Sequence, residues 1–327
     1  MLKRSLRLLP ALMLFVSVAA YARAEPAAGE KVEFLRFVDD HKGGGKLETA
    51  IATYRNDKGV TVHLVGAIHI ADKPYYQGLN KTFKSYDAVL YEMVKPKDSA
   101  PPQPGEERSS SIISMIQRFM KDTLDLKFQL DEIDYTAPNF VHADLDAETF
   151  AKMEEERGES IWSLMLQQML KSLANPPDNQ QEIGLTDLLA ALGSPDRSRQ
   201  LKLIFARQFG DIEEQMSAFG GTVLITERNK ACFKVLDQQI ADGKTNLGIF
   251  YGAGHMGDMQ KRLVDRGFHR TAIEWRLGWD LSPDAGARPD NDNDAPAPRA
   301  KPQKVVPEDD DAAKGIIKTQ WTRPARR

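Results

Sequence analysis

Two stretches of this sequence carry residue types that acid–base or metal chemistry needs. The first is His63-Leu-Val-Gly-Ala-Ile-His69 followed, after a helical interval, by Ala88-Val-Leu-Tyr-Glu92. The second is Gly248-Ile-Phe-Tyr-Gly-Ala-Gly-His255 followed by Thr271-Ala-Ile-Glu274. Each reads as an apolar strand, Gly-x-x-His, a helix, and an apolar strand ending in glutamate. An interval of that length fits a crossover between parallel strands. In open α/β sheets ligands bind beyond the carboxyl ends of the strands. The spacing therefore predicts that His69, Glu92, His255 and Glu274 surround one cleft. Gly66, Gly252 and Gly254 are expected where the chain leaves its strands and passes close to a ligand. The alternative is two unrelated strand-end turns whose histidines only bond locally.

The paired Gly66-Ala-Ile-His69 and Gly252-Ala-Gly-His255, with Glu92 and Arg228-Asn229 between them, resemble the TraB/PrgY/GumN family, which includes the TIKI proteases. The resemblance covers about residues 46–94 and 220–276. It implies an α/β fold with His69, Glu92, Arg228 and His255 as the site. For the TIKI branch it implies peptide hydrolysis dependent on manganese or cobalt. The wider superfamily includes erythromycin-esterase-type hydrolases and haem-binding ChaN-like proteins.

In a metal reading, His69, His255 and Glu92 supply two imidazoles and a carboxylate to Mn, Co or Zn, leaving open positions for water and substrate. The bound water would attack a carbonyl. In a metal-free reading, one histidine is the general base, oriented by Glu92, and the other joins Arg228 in stabilising the oxyanion. Sequence leaves both open. Arg228 could instead pair with Glu227 or Asp237 on its own helix. Asn229 is a further candidate for substrate contact, as is Glu274. So are His142 and Asp144, which share one face of an extended segment at i, i+2. His63, His41 and His269 read as structural or solvated. A rival from another class is a haem- or small-ligand-binding protein using the same cleft, with a histidine or Tyr91 as iron ligand. A third is a signalling protein of the family without catalysis.

Elements of ordinary globular type must position these residues. The chain has 327 residues, 41% hydrophobic and 28% charged, with a formal net charge of −3. That balance lacks the basic excess of a nucleic-acid binder, so no nucleic-acid partner is expected. The expected partner is a peptide or small-molecule substrate. The single cysteine, Cys232, excludes an internal disulfide or a CxxC pair and reads as a buried small hydrophobe. Residues 1–24 combine Lys3, Arg4 and Arg7 with an apolar run and Ala22-Arg23-Ala24, the pattern of a cleaved signal peptide. The run is short for a membrane span. A periplasmic or secreted protein with no stable span after cleavage is expected. Residues 284–327 are rich in proline and acid and read as a disordered tail.

Residues 25–283 are expected to form one α/β domain. Its central sheet is expected to be largely parallel or mixed, built from two βαβ-type repeats, with a helical insertion at about 95–220 covering the cleft. Strands are predicted at 32–38, 47–54, 60–68, 88–94, 247–251 and 270–276. Helices are predicted at 72–86, 112–124, 146–157, 161–173, 185–192, 196–209 and 256–266, with another ending at 242.

Overall fold

The computed structural model describes residues 33–101, 124–158, 185–209 and 222–283. The chain divides into a unit ending at Ala285 and a second from Gly286; every described residue belongs to the first. The expected signal peptide and tail, and nearly all of the helices predicted at 112–124 and 161–173, lie outside the described residues.

The protein is a mixed α/β structure. Seven strands form the main sheet: β1 (Leu35–Asp39), β2 (Gly45–Arg55), β3 (Thr61–Ala67), β5 (Ala88–Tyr91), β7 (Phe140–His142), β8 (Asn246–Gly252) and β9 (His269–Asp280). Their order is β1-β2-β3-β8-β5-β7, with β9 also on β2. The strands from β3 to β7 run parallel, whereas β1, β3 and β9 each pair antiparallel with β2. Two short strands, β4 (Ile70–Ala71) and β6 (Lys127–Phe128), form a separate antiparallel pair.

The parallel centre follows from composition. Leu247, Ile249, Phe250 and Tyr251 of β8 are fully buried, as are Val89 and Leu90 of β5. Strands covered on both faces read as continuous apolar runs rather than alternating ones. Helix α1 (Lys73–Phe83) covers the sheet with Tyr75, Tyr76, Leu79 and Phe83. Helices α6 (Arg228–Ala241) and α7 (Met256–Val264) bury Cys232, Phe233 and Leu236, and Met256, Met259 and Leu263. Cys232 is thus the buried hydrophobe its sequence context suggests, and burial pushes its thiol pKa up.

The described part of the insertion contributes strands as well as helices. It holds β6, the short α2 (Gln129–Glu132), β7, α3 (Ala147–Arg157), α4 (Leu185–Leu192) and α5 (Arg197–Phe209). Helix α3 begins where its capping pattern says it should. The Asp146 carboxylate accepts from Thr149 N, and Gly158 ends the helix at φ 62°, a left-handed value that glycine adopts without strain. Among the described residues no helix is long and apolar enough to cross a membrane.

The two-repeat expectation is half met. The first unit, β3-α1-β5, is a parallel crossover that leaves a gap of one strand, and β8 fills it. The second unit does not return beside β8. Residues Lys46–Arg55 pair along their whole length with β9, while β1 and β3 take successive halves of the same strand. A strand has two edges, so β9 lies across β2 from β3, with two strands, β2 and β3, between it and β8. Sequence period says which faces are apolar; it does not say which distant strand pairs with which.

One glycine of β8 is a packing device. A Cβ on Gly248 would come 2.5 Å from the Tyr86 ring, which stacks on His63 at a centroid distance of 4.5 Å. Gly248→Ala is therefore expected to destabilise the fold by about 1–3 kcal/mol, the usual cost of overpacking. Chemical denaturation would show the loss as a lower midpoint with an unchanged slope.

Candidate functional site

The register of β3 and β8 brings the two Gly-x-x-His motifs together. Ala67 and Gly252 are the last partners of the parallel pair, so both chains leave the sheet side by side. β5 lies on the other side of β8, with Tyr91 opposite Phe250. Glu92 follows, and its N–H donates to Phe250 O at 3.1 Å. Three carboxyl-terminal strand ends thus deliver His69, His255 and Glu92 to one place.

Gly252 lies at its centre. A Cβ built there would stand 3.4 Å from Glu92 Oε2, 3.6 Å from His69 Nε2 and 3.9 Å from His255 Cδ2. One point therefore lies within 4 Å of all three side chains, and glycine leaves it open. The Gly252 N–H donates to Glu92 Oε2 at 2.7 Å. Gly66 has a different role from the one expected. It lies inside β3 with Phe34 Cβ 3.3 Å from where its own Cβ would be, so its missing side chain admits Phe34 to the sheet. Gly254 lies in a single 3-10 turn, Ala253–His255, which leads directly into α7.

Arg228 is held between two carboxylates. Its Nη2 donates to Glu92 Oε1 and to Asp144 Oδ2, both at 2.6 Å, and its Nε donates to Asp144 Oδ1 at 3.0 Å. The Asp144 side chain has no exposure at all. Arg228 opens α6 directly after a π-helical turn, Val223–Glu227. A cation at a helix N-terminus opposes the helix dipole, so this placement is supported by the two carboxylates rather than by the helix. The on-helix alternatives are taken elsewhere: Glu227 pairs with Arg157 and Lys230, and Asp237 with Arg266. Arg228 thus serves its neighbours' carboxylates with Nε and Nη2; the sequence expectation had it facing substrate.

His255 is buried at 4% exposure. Its Nδ1 lies 2.7 Å from Asn229 Oδ1, while Asn229 Nδ2 donates to Asp258 Oδ2 at 2.7 Å and to His255 O at 3.3 Å. With the amide nitrogen committed to two acceptors, Asn229 Oδ1 accepts, so His255 carries its hydrogen on Nδ1. Its Nε2 lone pair faces Glu92 Oε1 at 3.6 Å. Asn229 is fully buried and orients His255 rather than reaching substrate. His69 is exposed, with Nδ1 3.1 Å from Gln129 Oε1.

The charges follow from these contacts. Burial alone would raise the Glu92 pKa, but His255, Arg228, His69 and the Gly252 N–H outweigh it and hold the carboxyl at about 2. Burial lowers the His255 pKa below its ordinary value, and Glu92 only partly opposes this. Arg228 stays charged because Glu92 and Asp144 more than offset its burial. One guanidinium against two carboxylates leaves the cluster short of a positive charge.

Two of the expected site residues fall outside the cluster. Glu274 lies mid-strand in β9, opposite Ile51, exposed and paired with Arg276 at 3.0 Å. Its strand lies beyond β2, so it does not mirror Glu92. His142 and Asp144 separate because β7 ends at His142. The His142 Nε2–H donates to Met93 O at 2.7 Å, a structural bond, while Asp144 turns to Arg228. Tyr91 is buried among the rings of Tyr135, Phe140 and His142, away from Glu92, so it is not placed to ligate iron. His63 is structural: its ring nitrogens bond Thr53 and Asn246 at 3.0 and 2.9 Å. Gln129 carried no signal in the sequence, because it comes from a segment without periodic pattern.

The donor types suit a metal ion in that two imidazole Nε2 atoms and a carboxylate converge. Their spacing does not suit it as placed. Both Glu92 oxygens already accept hydrogen bonds, and among the described residues no group of three His, Cys, Asp or Glu side chains could hold an ion.

No family model matches the chain, and no curated protein or solved structure matches it either.

Proposed function

We propose that this protein is a periplasmic or secreted hydrolase that adds water across an acyl bond of a peptide or small-molecule substrate. The observation that carries this reading is the His255–Asn229 arrangement: a buried neutral imidazole whose Nδ1–H is fixed, so that its unprotonated Nε2 lies 3.6 Å from an ionised carboxylate and its ring edge 3.9 Å from the open point above Gly252. That is the geometry of a general base with an orienting partner. The resemblance of these same residues to the TraB/PrgY/GumN family points the same way, and the leader pattern of residues 1–24 is the basis for export; a mature N-terminus at Glu25 checks the latter.

In this reading His255 Nε2 takes a proton from water, and the water oxygen attacks the substrate carbonyl carbon. The imidazolium so formed supplies the positive charge the cluster lacks and is stabilised by Glu92. Arg228 keeps Glu92 ionised and fixed, and Asp144 holds Arg228. The imidazolium then returns this proton from Nε2 to the leaving group, while His69, exposed at the mouth, accepts a hydrogen bond from the same water at Nε2. The products are a carboxylic acid and a protonated leaving group, with one water consumed.

The pH dependence has a definite sign. A base must be unprotonated to act, and burial holds the His255 pKa below its ordinary 6.5. The acid limb of kcat/KM is therefore expected to have its midpoint below 6.5, with a plateau through neutrality. A midpoint above 7 would contradict the assignment.

A second reading, a site for Mn, Co or Zn held by His69, His255 and Glu92, is favoured by the cluster's missing positive charge. When bound, such an ion would lower the pKa of a bound water. It requires Glu92 to release Arg228 or Gly252.

The test is a panel of p-nitrophenyl esters and fluorogenic peptides, assayed with wild type and His69→Ala, with EDTA and with each metal added back. Hydrolysis by wild type that is lost in the variant and insensitive to EDTA is expected. Loss on chelation with recovery on one metal selects the second reading. A Soret band on haem addition, with no hydrolysis, would replace both with a haem-binding role.

A further inference from the structure

His69 is the one member of the cluster that is exposed, so its orientation cannot come from burial. It comes from the insertion. The chain just after His69 pairs with β6, Ile70 opposite Phe128. Gln129 N–H donates to His69 O at 2.9 Å. The Tyr76 hydroxyl lies within 3.2 Å of Ile68 O and 3.4 Å of Lys127 O, joining the two segments from α1. The backbone on both sides of His69 is therefore tied to the segment that carries Gln129.

The side chains continue this. Gln129 is 5% exposed. Its Nε2 donates to the Tyr135 hydroxyl at 2.7 Å, which turns its Oε1 toward His69 Nδ1 at 3.1 Å. A carbonyl oxygen only accepts, so His69 must carry its hydrogen on Nδ1 and present Nε2 as a lone pair. The same logic that fixes His255 through Asn229 recurs on a different element with a different amide.

Building on the hydrolase reading, we infer that Gln129 is a positioning residue that selects the His69 tautomer, and that Tyr135 fixes Gln129. An exposed imidazole left alone favours its hydrogen on Nε2 and rotates. Either change would remove the lone pair that faces the point above Gly252. The insertion is then an integral part of the site, because it sets the state of one of the two histidines.

The test is a long-range ¹H–¹⁵N correlation spectrum of the full chain labelled with ¹⁵N-histidine, above the histidine titration range, with His69 assigned by its absence in His69→Ala. Wild type is expected to show Nδ1 protonated and Nε2 unprotonated. Gln129→Leu is expected to move most of the hydrogen to Nε2. Gln129→Glu keeps an acceptor, since Tyr135 can donate to the new carboxylate, and is expected to restore the wild-type pattern. A Leu variant that superimposes on wild type, or a Glu variant that shifts as Leu does, would overturn the inference. Should Gln129→Leu not fold, Tyr135→Phe leaves the amide free to rotate and is expected to give a mixture of tautomers; an unchanged spectrum there would equally overturn it. None of these spectra depends on turnover. A Gln129-dependent tautomer alongside undiminished hydrolysis by His69→Ala would uphold the positioning and sink the hydrolase role.

Discussion

His255→Ala is expected to lower kcat by about 10²–10⁴-fold, the usual contribution of a general base, while leaving the fold intact. The imidazole is buried, but its two partners have other bonds. Asn229 retains Asp258, and Glu92 retains Arg228 and the Gly252 N–H. Removing the ring leaves a small cavity lined partly by Tyr251, whose ring meets it edge-on at 5.2 Å, and a cost of a few kcal/mol at most. A variant that unfolds cooperatively near the wild-type midpoint but hydrolyses nothing is the expected outcome. Near-wild-type turnover in steady-state assays would remove His255 from the chemistry.

Arg228→Met has the larger effect on stability. The guanidinium is buried against two carboxylates, one of them wholly inaccessible. Removing it leaves Glu92 and Asp144 as uncompensated buried charges, which costs about 3–5 kcal/mol. Denaturant titration at pH 7 checks this. The loss is expected to be partly recovered by adding Glu92→Gln and Asp144→Asn, because the neutral pair no longer needs a cation. A wild-type midpoint for Arg228→Met alone would mean the cluster does not support the fold. The same pairing makes stability pH-dependent. The fold holds the Glu92 carboxyl well below its ordinary 4.5, at about 2, so the ionised form is the one the folded state favours. Its folded pKa is the lower one, so that stability is present above 4.5 and lost as pH falls toward 2. His255 acts in the same direction near neutrality, losing stability as pH drops below 6.5, since its charged form is the disfavoured one in the fold.

Much of this arrangement is legible in the sequence, and the rest fails for identifiable reasons. Buried parallel strands announce themselves as apolar runs, which is why β3, β5 and β8 and the helices between them fall close to their expected places. The Gly-x-x-His spacing then puts His69 and His255 at adjacent strand ends. Glu274 misled because a strand following a helix looks the same whether it returns beside β8 or crosses to the far edge of β2. That choice is made by the long antiparallel pairing of β9 with β2, a contact between residues more than two hundred positions apart. His142 and Asp144 misled because alternation holds only while the strand continues, and β7 stops between them. Gln129 and Tyr135 leave no trace, since a two-residue strand and a four-residue helix carry no period. The sequence singles out Arg228, but its partners Glu92 and Asp144 come from the end of β5 and from the insertion, which no local pattern links.

The central claim is that His69 and His255 act as one unit on one water. Their double-mutant cycle tests it most directly, with kcat/KM measured on whichever ester or peptide the wild type hydrolyses. Residues acting as a unit are strongly non-additive. His69→Ala/His255→Ala is therefore expected to be no worse than the more impaired single variant. Losses that multiply, or full hydrolysis by the double variant, would contradict it.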